Sequence, residues 1–473
     1  MPAIAFPPST APSINPTENG GRLINAYAEK APEGSRGPYL FRRAPGLEEA
    51  FEVGSSDHRG AITIGSVLYV LNGDTITSVT KSGSTYSTGS VTGTVTGSGR
   101  VIMARNMRSP DAQVMIVHDS GISLLEAGAV ADFSDPDLPG VNSVTFQDGY
   151  FFFTTGDGRC FASGINDTTI NELDYVTAES SVDGLVRGIA FGRELLLMGE
   201  TTTEFWGNTG NAEGFPFSRG PVISVGLFGR FAVTGHEYGF PAPLAWVGND
   251  KRIYRLNGYA PEPISTPHID RLLAELDDGE AIEANCFVSA GHACYVFSGP
   301  TWTLVYDTST GTWHERKSYG ADRWRTHLTI NAFNEWLALD RTGSAVLRMN
   351  DRARKEGTQP LVFEVWSSQA HRFPGRAFVK RGSFDFVTGV GKDRGISPIE
   401  TEPRVSIAWS DDGGRSFGND LVRSLGTQGE IVPIDVFRCG LTGRHGRQWR
   451  LKVSDPVEVS LLGGAMDIEE RLA

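Results

Sequence analysis

A strand–turn–strand pattern recurs seven times along the chain, and it restricts the possible folds more than any other feature. In each copy a short apolar run meets a turn rich in Gly, Asp or Asn, and a second run follows. The seven copies begin at Leu68, Val114, Tyr150, Leu195, Leu244, Cys294 and Trp336. The steps between these residues are 46, 36, 45, 49, 50 and 42 positions. A fairly constant period of this size is typical of a β-propeller with four strands in each blade.

The repeat predicts a propeller of about seven blades over residues 59–350, or of six blades if one copy belongs elsewhere. A pair of β-sandwiches is the alternative all-β arrangement, but it requires no period and fits less well. Glycine (57 residues) and proline (25 residues) lie mostly between short apolar runs, which favours strands and turns over long helices.

One helix is predicted inside the propeller. Ser265 and Thr266 can cap its start, and Pro267 suits a first helical turn. The apolar stripe that follows has helical spacing and consists of Ile269, Leu272, Leu273 and Leu276. Such an insertion either covers the edge of a blade or docks a partner, and we favour the covering role.

Two further segments flank the propeller. Residues 1–58 are rich in Pro, Gly and Asn and show little period, so we predict an N-terminal arm that packs on the C-terminal domain. Residues 351–473 contain a run of strands, and Trp449, Leu451 and Val453 alternate there with Arg450 and Lys452. This pattern predicts a β-sandwich or barrel-like platform domain.

The charge of the chain is unevenly distributed. The sequence carries 43 Lys and Arg against 56 Asp and Glu, a net charge of −13. Residues 351–473 hold 18 basic and 17 acidic groups, so the acidic excess lies in residues 1–350. A segment this acidic is poorly suited to wrapping nucleic acid, which requires clustered cations.

The sequence contains no signal for membrane insertion, metal binding or export. It has no run of 18 apolar residues, so we predict no membrane insertion by this chain, and its N-terminus does not resemble a secretory signal. The four cysteines, Cys160, Cys286, Cys294 and Cys439, form no pair at zinc-ligand spacing. We therefore expect buried reduced thiols, no metal site and no cofactor.

The segment from Ser410 to Phe417 matches the Asp-box hairpin of sialidases and other propellers. Its pattern residues are Ser410, Asp412, Gly414, Ser416 and Phe417. In such a loop the Asp side chain accepts backbone N–H groups and the aromatic ring fixes the hairpin to its sheet. The motif therefore predicts a structural hairpin, and a sialidase-like enzyme is the alternative.

No spacing in the sequence singles out a catalytic pair. A glycosidase needs two carboxylates about 5–10 Å apart. The acidic residues that could supply them are Glu200, Glu204, Asp250, Asp277 and Asp278, none of which is distinguished by its position. We therefore predict that the chain has no catalytic site.

A basic cluster lies near the end of the chain, and it includes Arg444, Arg447 and Arg450. It could contact DNA phosphates, pair with acidic groups of a neighbouring subunit, or form a solvated strand face. Since the segment is nearly neutral overall, we favour the latter two readings. Arg444, Arg447 and Arg450 are therefore the candidate subunit contacts.

Several segments, in this order along the chain, resemble one known family. They are Gly21–Glu29, Leu40–Leu47, Arg59-Gly60, Val67–Asp74, Gly97–Ala104, Ile264–Asn285, Trp409–Phe417, Leu425–Gly429 and Val453–Val457. Together they are similar to the packaged-DNA stabilisation proteins of short-tailed bacteriophages, also called tail hub or nozzle proteins.

This resemblance implies a structural, non-enzymatic component of the virion tail that is made in the cytoplasm of the host bacterium. Copies would form a six-fold ring below the portal, extend the DNA channel and help to retain the packaged genome. The implied partners are further copies of the chain, the portal adaptor (head-to-tail connector), a tail fibre or spike, a tail needle or plug, and passing double-stranded DNA bound without sequence specificity. The alternative from another class is a carbohydrate-binding or glycoside-cleaving propeller.

Overall fold

The structure is a computed structural model that describes residues 2–13, 15, 18, 20–35, 37–55, 57–178, 183–211, 214–371, 375–393 and 397–471. Strands dominate this part of the chain. The N-terminal segment contributes β1 (Arg22–Ile24), β2 (Ala26–Lys30), β3 (Tyr39–Arg43) and β4 (Gly46–Glu52). These four strands enter three different sheets.

Seven four-stranded units follow one another around a ring, and each is one blade. The first blade consists of β5 (His58–Ile64), β6 (Val67–Asn72), β7 (Thr75–Ser82) and β8 (Thr85–Ser90). The second consists of β9 (Ile102–Arg105), β10 (Val114–His118), β11 (Gly121–Glu126) and β12 (Ala129–Phe133). The third consists of β13 (Ser143–Gln147), β14 (Tyr150–Thr154), β15 (Arg159–Ser163) and β16 (Ile170–Thr177). The next two are β17 (Leu185–Phe191), β18 (Glu194–Gly199), β19 (Thr203–Asn208) and β20 (Phe217–Ile223), then β21 (Val233–Thr234), β22 (Ala245–Val247), β23 (Ile253–Asn257) and β24 (Ala260–Pro263). The sixth comprises β25 (Glu283–Ser289), β26 (His292–Ser298), β27 (Thr303–Asp307) and β28 (Thr312–Glu315), and the seventh includes β29 (Thr326–Ala332), β30 (Glu335–Asp340) and β31 (Ala345–Asn350).

The strand that completes the seventh blade comes from the other end of the sequence. β4 pairs antiparallel with β31, from Glu52 opposite Ala345 to Gly46 opposite Asn350. The N-terminal segment thereby closes the ring of blades. The predicted boundary between the arm and the propeller is therefore corrected. Residues 46–52, which were expected in the arm that packs on the C-terminal domain, form a strand of the seventh blade. Two short strands, β32 (Lys355–Glu356) and β33 (Gln359–Pro360), extend this sheet beyond β4.

The second strand of each blade explains the apolar runs in the sequence. In the third blade, Phe151, Phe152 and Phe153 are all buried. Phe151 and Phe153 pack in a cluster with Ile102 of the second blade, and Phe152 packs with Leu195 of the fourth. Because both faces of a blade are covered by its neighbours, the strand has no solvent face and its sequence does not alternate.

The predicted helix lies between the fifth and sixth blades. α1 (Pro267–Ala274) begins with Pro267, and Ile269 and Leu273 are fully buried in the core that contains Trp246. Thr266 is the residue before the helix, but its side chain accepts no capping hydrogen bond from the backbone N–H groups of the first turn. The helix covers the junction of the two blades.

The C-terminal domain is defined here as the two sheets that contain β34 to β40. Its strands are β34 (Phe363–Trp366), β35 (Arg376–Phe386), β36 (Arg404–Ser410), β37 (Leu421–Ser424), β38 (Ile434–Leu441), β39 (Gln448–Val453) and β40 (Ser460–Arg471), with a short helix α2 (Pro398–Thr401) before β36. One sheet has the order β1-β34-β39-β36-β37, and the other β2-β3-β40-β35-β38. Trp449 and Leu451 of the first sheet share one buried core with Phe384 and Val379 of the second.

A single strand joins this domain to the propeller. β1 pairs in parallel with β28 through Ile24 and Glu315, and antiparallel with β34 on its other side. The sixth blade and the first C-terminal sheet therefore form one continuous nine-stranded sheet. Asn25 has φ 49° and donates side-chain hydrogen bonds to the carbonyls of Lys317 (2.8 Å) and Val362 (3.1 Å), which fixes the bend between β1 and β2.

Candidate interaction surfaces

The Asp-box residues lie together in the loop that connects β36 with β37. Oδ1 of Asp412 accepts hydrogen bonds from the Ser410 hydroxyl (2.6 Å) and from the backbone N–H groups of Arg415 (2.9 Å) and Ser416 (3.0 Å). Oδ2 accepts the Ser416 hydroxyl (2.5 Å). The Ser410 oxygen in turn accepts the N–H of Gly414 (2.9 Å). Both carboxylate oxygens are thus directed into the turn.

These hydrogen bonds determine the ionisation of Asp412. Partial burial of the carboxyl raises the pKa of Asp412. The hydrogen bonds from Ser410, Ser416 and Arg415 lower this pKa by more, so it lies well below the usual range. A carboxylate that accepts this many hydrogen bonds from its own loop stays ionised near neutral pH, so it is a poor proton donor there. The arrangement is therefore suited to holding a turn, and it is unsuited to general acid catalysis.

Two glycines and one aromatic ring complete the loop. Gly413 and Gly414 adopt φ 83° and 90°, a region that other residues enter at a cost. The Phe417 ring meets Trp366 edge-on with centroids 4.7 Å apart, and the Arg450 guanidinium lies 4.4 Å above the Phe417 ring centroid. Trp366 of β34 and Arg450 of β39 therefore hold the loop against the sheet through their contacts with Phe417.

Arg447 is buried inside its own chain. Its side chain is 0 % exposed, and its Nε and Nη2 donate to the two carboxylate oxygens of Asp411, each at 2.8 Å. Its guanidinium also lies 5.1 Å from the ring centroid of Trp409. The proposal that Arg447 is a subunit contact is therefore wrong, because its charge is neutralised where no neighbour can reach it.

The other two candidate arginines remain accessible to different degrees. Arg444 is exposed in the turn between β38 and β39. Arg450 is largely covered by Phe417 and forms an ion pair with Asp420 at 3.3 Å. Lys452, two residues along the strand, pairs with Glu364 at 3.4 Å. The basic residues of this segment are thus mostly paired within the chain.

An apolar surface that sequence reasoning missed lies at one side of the C-terminal domain. β37 and β38 are the terminal strands of their sheets, and they meet where Arg423 Nε donates to the Asp435 carbonyl (2.7 Å). We call the region of these two edge strands the edge surface, and the exposed apolar residues on the strands or in the loop between them are Val422, Ile431, Phe437 and Leu441. Ile431 is 92 % exposed and Phe437 59 %. The sequence signal was Pro433 directly before β38, since proline at the start of a strand is common at sheet edges.

Three of the five acidic residues considered for catalysis, Glu204, Asp250 and Asp278, have structural partners. Glu204 is fully buried and accepts the indole N–H of Trp206 (2.9 Å), and Asp250 accepts the Tyr254 hydroxyl (2.6 Å). Asp278 accepts the N–H of Glu280 (2.9 Å) at the start of a 3-10 turn over Gly279–Ala281. These three carboxylates belong to different blades and turns.

Among the described residues no three His, Cys, Asp or Glu side chains cluster closely enough to bind a metal ion. The four cysteines are buried free thiols, and burial raises the pKa of Cys160 well above its ordinary value. Neither described helix is long and apolar enough to cross a membrane.

A comparison with known protein families shows to which family this chain belongs. The family described as Phage_stabilise, bacteriophage P22 Gp10, beta-propeller, matches residues 22–353. The chain belongs to this family. The match runs from the start of β1 to just beyond β31, so it includes the closing strand β4 and all seven blades. It confirms the resemblance noted in the sequence and the predicted all-β propeller fold, and it identifies the chain as a structural protein of a bacteriophage.

The Phage_stabilise chain is also similar to solved structures, at low identity. The WD40 β-propeller domain of Doa1 is 10 % identical, with a TM-score of 0.42 over 64 % of this chain and 96 % of that one. The RRP9 WD40 repeats are 10 % identical, with a TM-score of 0.44 over 65 % and 99 %. The computationally designed Ika8 protein is 11 % identical, with a TM-score of 0.36 over 64 % and 99 %. No curated protein matches the chain.

Proposed function

We propose that this Phage_stabilise chain is a subunit of a phage tail hub or nozzle, a six-fold ring that extends the DNA channel below the portal and adaptor. The observation that carries the proposal is the family match over the complete propeller. The ring helps to retain packaged DNA and anchors tail fibres or spikes. Its partners are the portal adaptor, the fibre or spike, a needle or plug, and the DNA that passes through it.

The proposed role is mechanical and not enzymatic. The Asp412 carboxylate is saturated by hydrogen bonds from its own loop. Glu204 and Asp250 are committed to Trp206 and Tyr254. Side chains held in this way stabilise turns and blades, and they are not free to activate a water molecule or a sugar.

The proposed subunit contacts lie on the C-terminal domain. Its edge surface combines exposed apolar side chains with two strands whose outer backbone groups have no further strand beside them among the described residues. Such edges are common sites of association. Arg444 and the Arg450–Asp420 pair supply charged groups for the same contact, while Arg447 acts only inside the subunit.

Native mass spectrometry of the purified chain tests the proposal. We expect a ring of six copies, and we expect Phe437→Asp to convert it to smaller species because the change places a charge in an apolar contact. Leu173→Asp is the matched control, since Leu173 is 74 % exposed on the outer strand of the third blade. A stable monomer that binds glycans would overturn the proposal, and equal loss of assembly in both variants would remove the edge surface from it.

A further inference from the structure

Exposed apolar side chains of the propeller are concentrated where its second and third blades meet. Eight large apolar residues of the described propeller are at least 40 % exposed, and four of them lie on these two blades or in their loops. Several exposed apolar side chains gathered in one region of a polar surface are typical of a docking site. We call the four residues the third-blade surface, and they are Met107, Ile165, Leu173 and Tyr175.

Met107 and Ile165 lie at one corner between the two blades. The backbone N–H of Met107, which follows β9, donates to Oδ1 of Asn166 (3.2 Å), the residue next to Ile165. The loop that carries Ile165 is closed by a backbone hydrogen bond from the N–H of Gly164 to the Thr169 carbonyl (2.9 Å). The two apolar side chains therefore project from a hydrogen-bonded corner of the propeller.

Leu173 and Tyr175 lie on β16, the outermost strand of the third blade. Between the pairs Phe161–Tyr175 and Ser163–Ile170 the chain advances two positions along β15 but five along β16, so β16 bulges there. Bulges redirect side chains, and Leu173 lies within this one. The Tyr175 ring packs on the buried Phe161, with the ring centroids 5.2 Å apart. Tyr175 is thus anchored in the blade, while Leu173 projects from it.

The two blades that carry this surface are strongly acidic. Residues 102–177 contain 11 Asp and Glu, three Arg and no Lys, so they hold a net charge of −8, more than half that of the whole chain. Two of the three arginines are already paired, Arg108 with Glu126 (3.0 Å) and Arg159 with Asp157 (2.7 Å). The third-blade surface therefore lies in a negative field.

Two carboxylates flank Leu173 directly along β16. Glu172 is exposed and Asp174 partly exposed, and neither forms an ion pair with a described residue. The most exposed apolar side chain of the third-blade surface thus lies between two negative charges without counterions in the described structure. Complementary charges across an interface favour the correct partner, so this arrangement favours a partner that brings cations.

The sign of the charge argues against two kinds of partner. A nucleic acid would be repelled, because its phosphates are negative as well. A second copy of the chain is also poorly suited, since it is acidic overall and the basic residues of its C-terminal domain are mostly paired internally, as Arg447 with Asp411 and Lys452 with Glu364. A different protein with accessible cations is the remaining fit.

We propose that the third-blade surface docks a protein other than a copy of this chain, through a segment that carries Lys or Arg beside apolar side chains. The third-blade surface forms the apolar centre of this contact, and Glu172 and Asp174 contribute to its charged rim. The inference rests on the proposed tail function, because a tail subunit has neighbours of other kinds, and it names where one of them docks and by what chemistry. It does not depend on the number of copies in the ring.

Photo-crosslinking in assembled virions tests the site. Virions of the phage that encodes this chain are produced with Tyr175→p-benzoylphenylalanine, irradiated, and digested for mass spectrometry. We expect crosslinks to one other virion protein, within a segment that contains more Lys and Arg than Asp and Glu. Tyr259→p-benzoylphenylalanine is the matched control, since Tyr259 is 51 % exposed on the fifth blade, and it should not crosslink to that segment. Crosslinks from position 175 only to other copies of the chain, crosslinks to an acidic segment, or none at all would overturn the proposal.

Charge reversal at the rim tests the chemistry of the contact. Glu172→Lys combined with Asp174→Lys should lower the amount of the crosslinked protein per copy of this chain in purified virions at least about tenfold, because like charges then face each other across the contact. Glu275→Lys with Asp277→Lys is the matched control, since these two carboxylates are exposed and have the same spacing. Quantitative mass spectrometry measures the amounts, and equal amounts in both variants would overturn the proposal.

Leu173→Asp separates this inference from the proposed ring. It should lower the amount of the crosslinked protein in virions, while native mass spectra of the purified variant still show the ring. Loss of the ring in the unmodified chain would therefore count against the proposed function alone, and full retention of the crosslinked protein by Leu173→Asp would count against the third-blade surface alone.

Discussion

At the scale of single residues, Arg447 shows how an arginine can belong to the core. Its ion pair with Asp411 is covered on one side by Trp409 and lies close to Trp449. Sequence reasoning placed Arg447 at the surface, because arginine is usually exposed and the partner that neutralises it lies 36 positions away. Only the folded sheet brings Asp411 and Trp409 beside it, whereas Trp449 is two positions away along the chain.

The first prediction concerns this ion pair. Arg447→Ala should destabilise the chain by about 2–4 kcal/mol, since it leaves Asp411 without its partner and opens a space beside Trp409 and Trp449, while the partial exposure of Asp411 limits the loss. Urea denaturation followed by tryptophan fluorescence would measure the change. Arg444→Ala, in the exposed turn nearby, should alter the unfolding free energy by less than about 0.5 kcal/mol.

The Asp box is the residue-scale feature that the sequence located most directly. The hydrogen bonds that Ser410 and Asp412 make within the loop join residues at most four positions apart, so the spacing of the pattern is enough to place them. What the spacing could not supply is the packing of Phe417 on Trp366, because Trp366 lies on a strand from a distant part of the chain.

The second prediction concerns Asp412. Asp412→Ala should destabilise the C-terminal domain by about 1 kcal/mol, because the donors of the turn lose their acceptor. Since the pKa of Asp412 is lowered in the folded chain, the contribution of its charge is present above the unfolded pKa, near 4, and is lost progressively as the pH falls below it. Melting midpoints of both proteins should therefore differ at pH 7, and the difference should shrink steadily as the pH falls below about 4. A gap that widens in acid would contradict this assignment.

At the scale of elements, the sequence predicted the strands of the blades better than it predicted how the ring closes. The second strand of each blade is buried on both faces, so it appears as an uninterrupted apolar run at a regular step. β4 gives no such signal, since Gly46–Glu52 contains three glutamates and its partner strand is nearly 300 positions away. Local patterns cannot specify a pairing over that distance.

The third prediction tests the closing strand. Leu47 is 1 % exposed and belongs to the same buried cluster as Leu347 of β31. Leu47→Ala should therefore destabilise the chain by about 2–5 kcal/mol through the cavity it leaves. Thermal unfolding would show an earlier transition. Glu52→Ala, at the exposed end of the same strand, is the control and should melt like the unmodified chain.

At the scale of the whole molecule, the sequence separated an arm, a propeller and a C-terminal segment, but it did not anticipate how they are joined. β1 makes the sixth blade and the first C-terminal sheet continuous, and Arg22 pairs with Glu315 across this junction. The N-terminal segment also supplies β2 and β3 to the second C-terminal sheet. These connections arise from pairings over long distances along the chain, and composition alone carries no trace of them.

The charge distribution bears on how a ring of these chains would treat DNA. The acidic excess lies within residues 1–350, and the basic residues of the C-terminal domain are largely paired inside the subunit, as Arg447 with Asp411 and Lys452 with Glu364. A wall studded with free Lys and Arg would bind phosphates by releasing counterions and would slow a genome that must leave during infection. A neutral or acidic wall repels the duplex only weakly, because salt screens the interaction beyond about 8 Å under physiological conditions.

The fourth prediction follows from this distribution. The assembled ring should not bind duplex DNA tightly at physiological salt, so retention of the genome would depend on a plug that blocks the channel and not on affinity of the wall. Fluorescence anisotropy of labelled duplex DNA, recorded as salt is varied, would measure this. We expect weak binding with a shallow salt dependence, and Arg450→Glu should disturb assembly more than it changes DNA affinity because Arg450 pairs with Asp420 beside the edge surface. Tight binding by the intact ring, or loss of DNA affinity in Arg450→Glu with assembly preserved, would show that the wall itself holds the genome.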